Sequence, residues 1–391
     1  MAAGIYLSIP FCRQKCTYCN FASEARAFSA LPSYLSALSK EIAQSSARWE
    51  QAGLPGYEGA PADSIFMGGG TPGLLNGGQL RNLILSISAR FSLEPDAEIT
   101  IEASPENIGS EGGAERAAEW AAAGVNRVSM GVQSMVEREL RAVGRQHTAA
   151  TVAEACNHLR QAGISNISID LIAGLPHQTA ESWQESLDAA LALGVPHLSV
   201  YMLEVDENSR LGGELLRAGP RYGAGAVPPE EAIVEFYFHA MARLNSNGYE
   251  HYEISNFAQP GRASRHNEKY WTAAPYFGFG VDAHSYDGRH RWANTDSIDS
   301  YLQGIESITS IFDEPRALSD TERREERFFL GLRRREGIHL DHRDVENAEM
   351  VAQINSCIAS GWIERTGGKI RLTNHGVIFS NEVFAGFLGI A

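Results

Sequence analysis

No run in these 391 residues approaches the ~20 consecutive apolar side chains of a bilayer span, so no membrane-spanning helix is expected. No basic cluster precedes an apolar stretch near the start, so no secretory signal is expected either. Positive charge is scarce: 33 Lys and Arg against 48 Asp and Glu leave a formal net charge of −15. Nucleic-acid binding rests on phosphate neutralisation, which disfavours that function class. Cysteine is scarce too. Five is an odd number for a disulfide framework. In a long chain without an export signal it points to metal or catalytic use in a reducing compartment. A cytoplasmic protein is the expectation.

What the chain has is a rhythm. Short β-rich runs at Gly4–Ile9, Ser64–Met67, Glu98–Ala103, Arg127–Gly131, Asn166–Leu171 and His197–Tyr201 alternate with helix-patterned stretches. The helical stretches run around Leu31–Ala47, Gly78–Phe91, Ala114–Ala123, Ala150–Ala162 and Glu181–Leu193. Strands alternating with helices imply parallel pairing and an α/β fold, here a partial (β/α)6 barrel. Polar residues fall at successive strand ends: the cysteines, Gly68–Pro72, Glu102, Gln133, Asp170 and Glu204. Barrels of this type collect functional groups at that end.

The last part differs. A helix over Arg323–Arg335, a second over Val345–Ser360 and a hairpin around Thr366–Lys369 read as a small winged-helix-like module. The expected division is a barrel with its extension over 1–287, a connector over 288–315 and the C-terminal module over 316–391. A packing role for that module fits an acidic chain better than DNA binding.

Three of the five cysteines form Cys12-x3-Cys16-x2-Cys19. Thiolates suit iron–sulfur clusters and zinc, but paired C-x2–4-C units are the usual zinc pattern. A [4Fe–4S] cluster ordinarily takes four cysteines, so three leave one iron open for a small ligand such as S-adenosylmethionine (SAM). Tyr18 stands ready to pack beside the cluster or an adenine. Cys156 and Cys357 read as buried apolar residues.

The cysteine loop, with an aromatic before its last Cys, resembles that of radical SAM proteins, and the likeness extends along the chain to the HemN/HemW group. It is carried by Tyr6, Gly68-Gly69-Gly70-Thr71-Pro72, Glu102, Gly131-Val-Gln133-Ser, Gly144-Arg145-Gln-His147 and Asp170-Leu-Ile-Ala-Gly-Leu-Pro176. The resemblance implies a [4Fe–4S] cluster on Cys12, Cys16 and Cys19. It implies SAM held by Tyr6, Tyr18, Gly69, Gly70, Thr71, Glu102, Gln133, Arg145 and Asp170. Arg145 suits a carboxylate; a structural ion pair with Asp170 is the alternative. Three departures stand out: Gly73 where Ser or Thr is usual, Ser104 where Asn is usual, and Asp282 before His284.

Within the group, the oxygen-independent coproporphyrinogen III oxidases carry a further Cys two residues after the third; Phe21 stands there in this chain. The haem-chaperone branch carries His-Asn-x-x-Tyr-Trp, matched by His266, Asn267, Tyr270 and Trp271. The resemblance therefore implies a haem-binding chaperone without oxidase activity, with His266 as a candidate axial ligand and Tyr270 and Trp271 against the porphyrin. A hydrogen-bonded latch is the competing reading of that motif. His251, His284, Cys156 and Cys357 are other candidate ligands. Implied partners are a haem donor, apo-haemoproteins (membrane cytochromes among them) and a second copy of the chain. The oxidase, and a non-catalytic iron–sulfur protein, are the alternatives.

Overall fold

The computed structural model describes residues 1–20, 28–307 and 309–390. Phe21 lies outside the described residues. Six strands lie side by side in chain order, each parallel to the next: β1 (Ala3–Ile9), β2 (Pro61–Gly69), β3 (Ser92–Ala103), β4 (Arg127–Gln133), β5 (Asn166–Ala173) and β6 (His197–Met202). The return helices are α1 (Leu31–Gln51), α2 (Gly77–Arg90), α3 (Gly113–Ala123), the short α4 (Glu137–Ala142), α5 (Ala149–Gln161) and α6 (Ala180–Ala192). Their starts are set by local chemistry. Asn76, Thr148 and Thr179 each accept a bond from the backbone amide of the residue three positions on, and the amide of each donates in return to that residue's side chain.

The sheet grows to twelve strands. Beyond β6 lie β8 (Asn256–Ala258) and β7 (Glu250–Glu253), both antiparallel; β9 (Tyr276–Phe279) pairs in parallel with β1. Beyond it come β10 (His284–Tyr286), β11 (His290–Ala293) and β12 (Arg316–Ala317). Three helices complete this part: α7 (Arg210–Leu216), α8 (Glu230–Ser246) and α9 (Arg265–Trp271).

The connector expected over 288–315 is not a linker. It contributes β11 and the helix α10 (Ile298–Ser307) to the main body. The cause is a polar knot that pattern reading cannot see. Glu41 on α1 is buried, and burial raises its carboxyl to about 7. Its oxygens accept bonds from Tyr301 (2.6 Å), Asn294 (2.7 Å) and the Gly280 amide (2.8 Å). A buried acid is tolerable only with such a full set of donors.

The C-terminal module holds α11 (Asp320–Arg333), α12 (His342–Glu346), α13 (Ala348–Ala359) and a three-stranded sheet of β13 (Ile338–His339), β15 (Lys369–Leu372) and β14 (Ile363–Thr366). The single helix expected over Val345–Ser360 is two, because Asn347 caps a new start. The module is tied to the main body: Arg333 donates to the buried Glu253 at 2.9 Å, and the Arg335 amide to the Tyr252 carbonyl at 3.0 Å.

Candidate functional site

Side chains alternate across a strand, so every second residue of β1–β6 points to the concave face. On β4 these are Arg127, Ser129, Gly131 and Gln133; with Tyr6, Glu102, Asp170 and Tyr201 they border two cavities. The upper, at the strand C-termini, measures about 420 Å³ and is bordered by Cys12, Cys16 and Cys19 together with Tyr18, Gly69, Gly70, Thr71, Glu102, Gln133, Arg145 and Asp170. All eleven of these were expected at one site, and they border one cavity; Tyr6, expected with them, borders the lower cavity instead. Glu204 borders the upper cavity as well.

The cysteine loop is stitched to the glycine loop. The Gly70 amide donates to the Ile9 carbonyl (3.0 Å), the Thr71 amide to the Phe11 carbonyl (2.8 Å), and the Thr71 hydroxyl to the Cys12 sulfur (3.5 Å). Gly69 has φ +104°, a backbone that L side chains avoid, and its amide donates to Glu102 Oε2 at 3.1 Å. Gln133 is left-handed too, at φ +72°, beside a register shift in the β4–β5 ladder. Such strain at a cavity wall marks a position over-determined by its surroundings.

Arg145 is held by the Ser104 hydroxyl at 3.1 Å and the Tyr18 hydroxyl at 3.2 Å. Burial would lower its pKa, but the neighbouring Tyr18 and Cys16 outweigh burial and raise it. Its Nε is buried without a partner, as is Asp170 Oδ1. Arg145 and Asp170 are thus not spent on each other as an ion pair. Burial, then the charge of Asp170, raises the Glu102 carboxyl to about 7.

Do these residues fit a cluster and SAM? Among the described residues no three His, Cys, Asp or Glu side chains converge on a point that one ion could fill. The three cysteines border one cavity, and a cubane takes one thiolate on each of three irons. Orphaned hydrogen-bonding atoms of both signs suit a zwitterionic amino-acid ligand. The fit holds.

Two departures from the group pattern have local reasons. A Cβ on Gly73 would stand 3.0 Å from that of Ala103, so a larger residue does not fit. Ser104 supplies the hydroxyl that orients Arg145. Asp282 sits at φ +58°, its amide bonded to the Thr295 carbonyl.

The second motif lies elsewhere. His266, Asn267 and Tyr270 on α9 border the lower cavity, about 240 Å³, at the strand N-termini. His266 is 1% exposed. Its Nδ1 bonds Ser64 Oγ at 3.0 Å and its Nε2 bonds the Tyr270 hydroxyl at 2.9 Å. In this fold both ring nitrogens are hydrogen-bonded within the chain. Trp271 carries the Arg333 guanidinium 4.2 Å above its ring rather than an open face. Of the other ligand candidates, Cys156 and Cys357 are buried, His251 stacks on Phe257 at 4.2 Å, and His284 is exposed.

Pattern reading missed Arg127, Tyr201 and Ser104. Arg127 and Tyr201 share inward parity with Ser129 and Ser199 on their strands, which was the available signal.

Residues 6–190 match the radical SAM superfamily model, and residues 318–379 match the HemN C-terminal domain. A Bacillus subtilis protein described as heme chaperone HemW is 33% identical over 390 residues, 98% of each chain. The Escherichia coli protein of the same description is 30% identical, again over 98% of each. The solved structure of E. coli coproporphyrinogen III oxidase (HemN) superposes with a TM-score of 0.83 over 100% of this chain and 91% of that one; at 23% identity it shows the shared fold. The chain belongs to the HemW haem chaperone family of the radical SAM superfamily.

Proposed function

We propose that this chain is a haem chaperone: it binds haem and passes it to apo-haemoproteins, on a scaffold that carries a [4Fe–4S] cluster and SAM. The observation that carries the reading is the match, end to end, to chains described as heme chaperone HemW. A cytoplasmic location belongs to the same reading; no described helix is long and apolar enough to cross a membrane. We assign residues 1–317 to the main body and 318–390 to the C-terminal module.

Cys12, Cys16 and Cys19 would hold the cluster, whose reduced form supplies the electron for splitting the SAM sulfonium. Gly69, Gly70 and Thr71 let backbone groups meet the methionine end. Arg145 offers its unpartnered Nε to the carboxylate, and Asp170 an unpartnered oxygen to a donor. Tyr18, Glu102 and Gln133 border the same cavity, and Tyr6 borders the lower one, which shares Glu102.

Haem is an apolar plate with two acidic arms. The upper cavity has a matching character: the apolar Ile172, Tyr201, Met202 and Leu203 border it together with the cationic Lys15 and Arg145.

The test is anaerobic reconstitution, followed on one sample by haem titration, transfer to an apocytochrome and incubation with coproporphyrinogen III, SAM and a reductant. Haem uptake and transfer are expected; conversion to protoporphyrinogen at enzyme-like rates overturns the proposal.

A pH dependence follows from Glu102. Its carboxyl keeps its proton to about pH 7 in the folded chain, above the unfolded value, so its contribution to stability is full at low pH and is lost as pH rises through about 7. SAM brings a sulfonium and an ammonium, which favour the ionised form. SAM binding should therefore release a proton, and its affinity should fall as pH drops below about 7, by up to about tenfold per unit. Equilibrium dialysis between pH 5.5 and 8 checks it. Glu102→Gln should flatten the profile; a flat profile in the parent removes Glu102 from the SAM contact.

A further inference from the structure

β4 carries an extra residue near its C-terminal end. Gly131 pairs with Asp170 and Gln133 with Leu171, so Val132 falls between them without a partner on β5. Such a bulge bends its strand, re-aims the side chains beside it and leaves backbone groups outside the ladder. Val132 is fully buried, where an unpaired carbonyl is costly. A partner comes from outside the sheet: the Val132 carbonyl accepts from His147 Nε2 at 3.0 Å.

His147 lies between α4 and α5 and is buried. Its other nitrogen, Nδ1, meets Glu106 Oε1 at 3.3 Å. Burial would raise the Glu106 carboxyl, but the bonds from His147 and from its own amide, with Arg145 nearby, outweigh burial and hold it at about 2. Three segments thus meet on one imidazole: the bulge of β4, the turn that follows β3, and the run from Arg145 to His147 itself. Each carries a residue of the upper cavity. The bulge carries Gln133, the turn carries Ser104 with the hydroxyl that takes the Arg145 bond, and the run carries Arg145. Gly131 lies where they come together. A Cβ there would stand 3.0 Å from Gln133 Nε2 and 3.1 Å from Arg145 Nη2. Two N–H donors from different segments therefore converge over a residue with no side chain, at the cavity wall.

We propose that His147 is a positioning residue for SAM: it pins the β4 bulge to the Arg145 segment and so fixes Gln133 and Arg145 as a converging pair of donors. His147 touches no ligand itself; it acts through the Val132 carbonyl and through the two residues that separate it from Arg145. This role presupposes that the upper cavity is the SAM site, which an Arg145 variant tests separately.

The experiment uses cluster-loaded full-length chains and reads three quantities: SAM affinity, the change that SAM produces in the EPR spectrum of the reduced cluster, and melting temperature. His147→Leu removes both bonds and should raise the SAM dissociation constant about tenfold, the scale set by a buried carbonyl left without its donor. An asparagine amide stands where Nδ1 was, and a glutamine amide reaches as far as Nε2. His147→Asn, which can meet Glu106 but not Val132, should therefore resemble His147→Leu. His147→Gln, which can donate to Val132, should recover most of the parent affinity and EPR change. His158→Leu is the structural control. It loses an imidazole bond to the Ile108 carbonyl (2.7 Å) yet borders neither cavity, so it should lower the melting temperature and leave SAM binding at the parent value. Arg145→Ala should weaken SAM binding; if it does not, the SAM-site reading fails and the role of His147 with it. If Arg145→Ala weakens binding while His147→Leu keeps the parent affinity, the role of His147 alone is overturned. Equal loss in His147→Gln and His147→Asn would overturn it too, because the Val132 bond would then not be what matters. If His147→Leu does not fold, the contrast between Asn and Gln decides.

Discussion

Cys16→Ala should reduce the iron and sulfide of the anaerobically reconstituted chain to about a tenth of the parent or less, because two thiolates do not retain a cubane against loss to solvent. Cys156→Ala should retain both. The contrast comes from position. Cys16 borders the open upper cavity, beside Tyr18 and the guanidinium of Arg145. Cys156 is 0% exposed on α5, where burial raises its thiol to about 11 and removes it from ligand chemistry. Iron and sulfide assays with the visible absorption of the cluster measure the outcome. Parent-level iron in Cys16→Ala would refute the cluster assignment. Parallel loss in Cys156→Ala would show that the readout follows folding, not ligation.

The site was legible to the degree that its residues follow strands. Each of β1–β6 was visible as a short β-rich run, and parity within a run places Glu102, Gln133 and Asp170 on the concave face. The cysteine and glycine loops carry their own spacing. What escaped was long-range and polar. Glu41 on a helix reads as a solvated acid until Tyr301, Asn294 and the Gly280 amide arrive from 239 or more positions away. Hence the supposed connector belongs to the core. The surroundings of His266 escaped for a related reason: Tyr270 lies within its own motif, but its other hydrogen-bond partner, Ser64, comes from β2, 202 positions away.

The glycine loop gives the sharpest test of how cluster and SAM sites depend on one another. A Cβ at Gly70 would stand 2.6 Å from the Phe11 carbonyl oxygen and 2.7 Å from both the Ile9 carbonyl oxygen and the Phe11 amide nitrogen. All three are backbone atoms, so no side chain can rotate away to relieve them. The segment from Ile9 to Cys12 must move or the glycine loop must. Either motion breaks the bonds from the Gly70 and Thr71 amides that hold the two loops together. Gly70→Ala should therefore weaken SAM binding at least about tenfold, roughly 1.4 kcal/mol, and shift the cluster's EPR signal by displacing Cys12, with all three cysteines still present. Gly368→Ala, with nothing within 4 Å of the added carbon, should leave both at parent values. Parent-like SAM affinity and spectrum in Gly70→Ala would mean that the loops are not in register as described. Loss of SAM binding with an unshifted cluster would place the displacement in the glycine loop alone and leave the cysteine loop rigid.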